Sequence, residues 1–304
     1  MSHFLEHRMK NTLFAMALCC GAIATPALAQ TSQADTDNGD GIFAAISFGG
    51  GFAKTSGIDG NLNVSESYDD FFFLNVELRA QWYGLFVEFP GRSQQQIDGQ
   101  FSGASLGYNF YNTSNWSYDL YAVHASQANQ YSASSPEGTF SFNRTSDYRL
   151  GVRASGYFED MFAQFIVTPY SFRDEIGGVE ASASVRKDWQ YRNWNIYNSI
   201  GVRYRSESIM NHYYGVDERL ANLVLDVMRD DPNIDGLTEY FSPYQADGGI
   251  SVHGEIGFEY PISEHMVFGG FFQYVVASDS AKDSPLFVGD RIGNSFGLSI
   301  TYVF

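Results

Sequence analysis

Phe296-Gly-Leu-Ser-Ile-Thr-Tyr-Val-Phe304 decides how the rest of the chain is read. Phe296, Leu298, Ile300, Tyr302 and Phe304 alternate with Gly297, Ser299, Thr301 and Val303. A strand turns successive side chains to opposite faces, so this period of two sets one aromatic and aliphatic row on a single face. Alone, the stretch suits the edge of a soluble β-sandwich as well as the wall of a membrane barrel. The choice depends on what repeats along the chain.

Eleven further segments alternate in the same way, over residues 42–52, 72–78, 83–89, 104–110, 116–122, 148–154, 161–167, 179–185, 194–204, 250–260 and 266–276. Their other faces carry Ser, Asn, Gly, Glu, Arg and Thr, as in Asn75-x-Glu77 and Arg203-x-Arg205. The connections are sorted by length. Those over 53–69, 90–98, 126–144, 173–177, 206–249 and 278–292 are mostly long and polar, whereas those over 79–81, 112–115, 158–160, 189–192 and 261–265 are all short. A soluble sandwich has no reason to sort its loops this way; an outer-membrane barrel has long loops outside and tight turns in the periplasm. The expected fold is therefore all-β, a transmembrane antiparallel up-and-down β-barrel of about 12 strands with both termini periplasmic. The row Phe296, Leu298, Ile300, Tyr302 and Phe304 then resembles the C-terminal signal by which such barrels are assembled.

Composition agrees. Phe, Tyr and Trp number 26, 20 and 4, yet the mean hydropathy is −0.22, as expected for an apolar belt around a polar lumen. Aromatic residues cluster near predicted strand ends, at Phe71–Phe73, Tyr108, Tyr111, Trp116, Trp189, Trp194 and Tyr260, where rings favour the two head-group interfaces. Cross-strand packing of a soluble sheet would also gather them. Beyond the N-terminal region no segment approaches the roughly 20 apolar residues of a spanning helix.

Met9-Lys10-Asn11, an apolar run over 13–25 and Pro26-Ala27-Leu28-Ala29 have the order of a secretory signal peptide, so residues 1–29 are expected to be cleaved after Ala29, with Met9 as an alternative start. Cys19 and Cys20 lie inside it, and Leu18 is not the small residue that a lipoprotein signal places before its Cys. The mature chain then has no cysteine and no disulfide framework. Glu6, Arg8 and Lys10 leave with the signal, so 34 acidic and 16 basic side chains remain, a net charge of −18. That balance argues against a nucleic-acid partner. Residues 30–40 are expected to be a flexible acidic leader and 41–304 the barrel. Asp35, Asp37 and Asp40 lack the later ligands of a calcium loop.

Within the longest loop, Leu220, Leu223, Val224 and Val227 follow helical spacing. Asp217 and Glu218 suit a helix start, Arg229 suits its end, and Pro232 follows. A short helix over 217–229 is expected to fold over the barrel mouth, to lie on head groups or to form a docking surface.

The region from Asn211 onward carries Tyr213-Tyr214-Gly215-Val216, then Gly236-Leu237-x-x-Tyr240, Gly248-Gly249, Asp283-Ser284-Pro285 and the closing Gly297-Leu298-x-x-x-Tyr302-x-Phe304. In these elements and their order it resembles the MipA/OmpV family of outer-membrane proteins. The first half shows barrel periodicity without a family motif, and residues 222–234 look like an insertion relative to the family. The resemblance implies an outer-membrane barrel without catalytic residues. Its best-known member is regarded as a scaffold linking a murein polymerase to a lytic transglycosylase, and others are described as porin-like. The partners it implies are outer-membrane lipid, the barrel assembly machinery, and a murein synthase with a lytic transglycosylase.

The residues suggest no cofactor and no metal. His124, His212, His253 and His265 form no His-x-x-x-His pair. His124-Ala125-Ser126 has the His-x-Ser of outer-membrane phospholipases but lacks the Asn-Gly beyond it, and the pairs Asp69-Asp70 and Asp230-Asp231 fall in predicted loops. The chain is expected not to be an enzyme. Inward Glu77, Arg79, Glu88, Arg203 and Arg205 point either to a compensating charge network that fills the lumen or to a selective pore. Both a scaffold and a channel are compatible with these residues.

Overall fold

The computed structural model describes residues 40–54, 68–89, 104–125, 129–135, 138–144, 147–173, 176–222, 242–285 and 292–304. The signal, nearly all of the leader, Gly236, Leu237, Tyr240, Ser126 and Asp230-Asp231 lie outside them.

Twelve antiparallel strands close into a barrel: β1 (Gly41–Lys54), β2 (Tyr68–Trp82), β3 (Leu85–Phe89), β4 (Ser105–Asn112), β5 (Trp116–Ala125), β8 (Asp147–Phe158), β9 (Met161–Ser171), β10 (Glu180–Tyr191), β11 (Trp194–Arg205), β12 (Gly249–Pro261), β13 (Met266–Val276) and β14 (Ile292–Val303). Each pairs with its sequence neighbours, and β14 returns to β1 from Ala45↔Val303 to Lys54↔Asn294, so no edge is left open. Between β5 and β8 a separate hairpin, β6 (Asn129–Ser135) with β7 (Gly138–Arg144), occupies what the sequence reads as a plain loop. All twelve expected wall strands are present.

The alternation dictates the two faces. Phe72, Leu74 and Leu85 are 83%, 62% and 62% exposed, and comparable apolar side chains face outward on every strand of the wall. A soluble surface does not carry an apolar belt of this extent. In lipid a closed barrel buries it while pairing every strand. Strands of about 12 residues at a tilt near 40° span roughly 30 Å, enough to cross the hydrocarbon. Among the described residues no helix is long and apolar enough to cross a membrane.

The ends of the barrel differ. Connections at 83–84, 113–115, 159–160, 192–193 and 262–265 are short and lie at the rim where β1 begins and β14 ends. Asp40 accepts a hydrogen bond from the Tyr83 amide at 2.6 Å, and Phe304 donates from its amide to Ala44 at 3.0 Å. The first turn is not at 79–81 as expected. Arg79 and Gln81 continue β2 on the lumen side, where Arg79 lies across from Glu88, and the chain reverses at Tyr83 and Gly84. These have φ of 48° and 81°, the pair of left-handed residues that a two-residue hairpin needs. Arg79 resembles a turn residue because its partner Glu88 sits on the next strand, and Gln81 because it accepts from Arg79 on its own strand.

Glycine and aromatic residues face each other across several strand pairs. Gly297 is opposite Phe271, Gly257 opposite Tyr197 and Gly107 opposite Phe86 on the lumen side, and Gly156 is opposite Trp116 on the lipid side. A Cβ on Gly297 would meet the Phe271 ring at 2.2 Å, so the ring lies over the glycine and covers its backbone. Gly297→Val is expected to displace that ring and destabilise the barrel by about 1–3 kcal/mol, measured by urea titration of the folded gel band.

Candidate functional site

Alternation turns Glu88 of β3, Asp119 of β5 and Arg153 of β8 into the lumen. Arg153 donates from Nε to Asp119 at 2.8 Å and from both terminal nitrogens to Glu88 at 2.8 and 3.1 Å. Ser105 donates to Glu88 at 3.2 Å, and Arg79 lies 3.6 Å from it. The Arg153 guanidinium sits against the rings of Phe86 and Tyr121, 4.8 and 4.6 Å from their centroids, and these rings pack with Val123 and Ile166. Two strands, β4 and β5, separate β3 from β8. Arg153 therefore reaches over β5 and β4 to β3, about a quarter of the way round the twelve-stranded wall. Arg153, Glu88 and Asp119 are 6%, 2% and 3% exposed, so little water reaches them. At such burial only full pairing keeps the charges tolerable.

A second cluster lies nearer the long-loop end. Arg203 and Arg205 both donate to Glu180, the latter at 3.0 Å. Arg149 pairs with Asp147 at 3.1 Å and donates to the carbonyls of Thr168, Ile176 and Gly178. It thus ties β8 to the short β9–β10 connection. Gly178 has a φ of 120°, and a Cβ there would strike Ser206, so glycine lets this connection pass close beneath the next loop.

That loop opens with helix α1 (Glu207–Tyr214), which buries Ile209, Met210 and Tyr213. Its first turn is anchored by the neighbouring connection, since Ser206 Oγ accepts from the Val179 amide and Val179 accepts from the Ser206 amide. Tyr213 lies with its ring 5.7 Å from the Arg205 guanidinium; burial pushes its phenol above the ordinary value, and Arg205 partly offsets this. After Gly215, Val216 exchanges two backbone hydrogen bonds with Tyr244 at 2.8 Å. Asn211 accepts from the Ala246 amide, and Tyr244 donates its hydroxyl to the Ser280 carbonyl in helix α2 (Asp279–Lys282). Ser284 donates to the Tyr214 carbonyl at 2.6 Å. Met210, Ala246 and Ala281 form the small apolar centre, with Tyr214, Tyr244 and Ala277 against it. Tyr213-Tyr214-Gly215-Val216 and Asp283-Ser284-Pro285, far apart in the chain, are thereby joined in one loop cap at the long-loop end of β11–β13.

The other expected residues separate. Glu77, Arg79, Glu88, Arg203 and Arg205 do face the lumen, all but Arg79 buried. Arg149, Arg153, Asp119 and Glu180, not singled out in the sequence, complete their ion pairs; each stands at an alternate position of a recognised row, so parity was the available signal. Of the expected helix over 217–229, residues 218–222 are helical, with Asp217 accepting from the Leu220 amide, and the remainder lies outside the described residues. Phe296, Leu298, Ile300, Tyr302 and Phe304 form one exposed outer row. His124 lies against Tyr148 on β5, His212 on α1, His253 in the lumen and His265 in a turn against Tyr302, so the histidines share no site. Asp69 and Asp70 belong to β2 and not to a loop.

A family model described as MltA-interacting protein MipA matches residues 60–304, well beyond the region that carries the sequence motifs. No curated protein matches the chain. Among solved structures, the NanC porin is similar with a TM-score of 0.42 at 9% identity, covering 84% of this chain and 98% of that one. OprB of Pseudomonas putida gives 0.39 at 10% identity, over 90% and 96%. The loop L8 deletion mutant of OmpT from Vibrio cholerae gives 0.39 at 7%, over 87% and 99%. At such scores the architecture rests on the strand pairing of the chain itself.

Proposed function

The chain belongs to the MltA-interacting protein MipA family, and from that premise we propose that this outer-membrane β-barrel is a non-enzymatic scaffold or adaptor for enzymes that synthesise and remodel murein. The observation that carries this reading over a channel is the Arg153–Glu88–Asp119 lattice, which fills lumen space between β3 and β8 with buried, mutually paired side chains. A solute path needs hydrated charges facing water; these face one another. In this reading the short turns and both termini face the periplasm and lipid surrounds the wall. A murein synthase and a lytic transglycosylase would meet the turn rim. The joined motif residues at the opposite end would then serve to close the barrel mouth and would not touch these partners.

A channel for small solutes is the second reading, favoured by the wall from β13 to β1. Its lumen positions include Gly269, Ser299, Thr301 and Ser47, all small. Affinity capture after crosslinking in cells separates the two. Recovery of a murein synthase or transglycosylase is expected, and its absence beside well-recovered barrel would sink the scaffold. Planar-bilayer recording is expected to be silent; stepwise conductance would instead support the channel.

The row Phe296, Leu298, Ile300, Tyr302 and Phe304 is proposed as the signal read by the barrel assembly machinery. Deleting Phe304 is expected to slow insertion several-fold in a membrane-assembly assay while leaving secretion intact, and unchanged insertion would remove that role.

A further inference from the structure

We propose that the outer wall carries a binding site for the head group of a zwitterionic glycerophospholipid, formed by Lys187, Asn198, Trp189 and Asp160 at a recess in the turn rim. The alternation that sends Arg186 and Asp188 into the lumen sends Lys187 and Trp189 to the lipid face, and β11 likewise turns Tyr197 and Ser199 inward and Asn198 outward. Lys187 and Asn198 are direct cross-strand partners. From Ala181 to Val185 and from Ile200 to Tyr204 the outward positions of these strands carry Ala, Val, Ile and Tyr. An amide and an ammonium on such a wall are costly unless something polar meets them. Among the described residues nothing hydrogen-bonds the Asn198 carboxamide.

The rim places this pair at head-group depth. Lys187 is paired with Met161, and the Asp188 amide donates to the Asp160 carbonyl, so the turn at 159–160 ends level with Lys187. The neighbouring β10–β11 hairpin runs four residues further before reversing at 192–193. The longer hairpin makes a shoulder beside the shorter one. Trp189 stands on that shoulder, with the Lys187 ammonium 5.9 Å from its ring centroid. Aromatic side chains with a polar tip settle at this interface. Toward the hydrocarbon, Ala183 lies between its bulkier partners Phe165 and Val202, leaving a shallow track for an acyl chain.

Charge selects the ligand. Lys187 and Asp160 pair at 2.6 Å, yet their side chains are 44% and 58% exposed, so both ends of the pair remain open to a ligand. A phosphate would take Lys187 and the Asn198 amide, and a primary ammonium on the same head group would take Asp160. Glu159 and Arg192, the next charges along the rim, keep the local balance at zero. A lipid with several anionic groups would require a surplus of cations that this shoulder lacks.

Native mass spectrometry of the refolded full chain, titrated with phosphatidylethanolamine or phosphatidylglycerol, tests it. The wild type is expected to retain one phosphatidylethanolamine with about tenfold preference over phosphatidylglycerol. Lys187→Met with Asn198→Leu should lose that retention by about tenfold, with the heat-shifted gel mobility unchanged. Asp160→Asn, an exposed turn change that leaves the wall intact, should erase the preference for the amine even if the double variant does not fold. Unchanged retention in the double variant, equal or stronger binding of phosphatidylglycerol, or preference surviving Asp160→Asn would each overturn the proposal. So would a wild-type dimer that the double variant abolishes, because the occupant would then be a second copy.

Discussion

Replacing Arg153 by alanine is expected to destabilise the barrel by about 3–5 kcal/mol, more than any single change on its lipid face. The guanidinium is the shared partner of Glu88 and Asp119, and its removal leaves two carboxylates facing each other in a space that water hardly enters. Lost packing against Phe86 and Tyr121 adds to the effect. Arg153→Lys keeps the charge but cannot reach both carboxylates with a planar fork, so it should fall between alanine and wild type. Removing all three charges together, as Glu88→Gln, Asp119→Asn and Arg153→Met, should recover most of the loss, because a buried ion pair is worth little over a neutral replacement. Urea titration followed by the heat-shifted gel band reads each variant. A loss below about 1 kcal/mol for Arg153→Ala would mean that water screens the cluster, as at an exposed pair, and would favour a channel.

Glu180→Ala is expected to have a comparable effect, with a second signature. Arg149, Arg203 and Arg205 would lose the carboxylate they share and repel one another. Arg149 also holds the carbonyls of Ile176 and Gly178, and Arg205 lies against Tyr213. Disturbing these arginines should loosen the loop cap as well as the wall. Limited proteolysis is expected to cut within 206–216 at least several-fold faster in the variant, before the strands are lost. Cleavage at the wild-type rate together with reduced stability would show that the cap is held by its own contacts, chiefly Ser284 to Tyr214 and Val216 to Tyr244.

These two clusters are formed by contacts that local sequence does not encode. The twelve wall strands were legible because lipid on one side and a polar interior on the other force a period of two. Loop sorting was legible because hairpin turns at one rim admit few residues. The turn at Tyr83 and Gly84 is masked in the sequence by the polar Arg79 and Gln81, which are satisfied inside: Arg79 lies beside Glu88 and donates to Gln81. Helix α1 escaped because eight residues with three buried side chains give too little periodic signal, and its Ser206 bonds Val179 instead of capping the helix with its side chain. The β6–β7 hairpin lies where apolar alternation is short, Tyr131 with Ala133 and Phe140 with Phe142, beside the longer rows of the wall.

The sequence by itself determined that this is a barrel, which residues face lipid, and which family it resembles, since all three are written in local alternation and short motifs. Only the tertiary structure decided which charges meet. Arg153 and Glu88 are 65 positions apart, and Tyr214 and Ser284 are 70 apart. Parity tells that each residue points inward or into a loop, but the distance between two inward side chains depends on strand order, register and curvature of the closed wall. Curvature of the wall brings β8 within reach of β3 over β5 and β4, and it is that geometry which turns scattered charges into one paired cluster, while the packing of the long loops joins separated motifs into one cap.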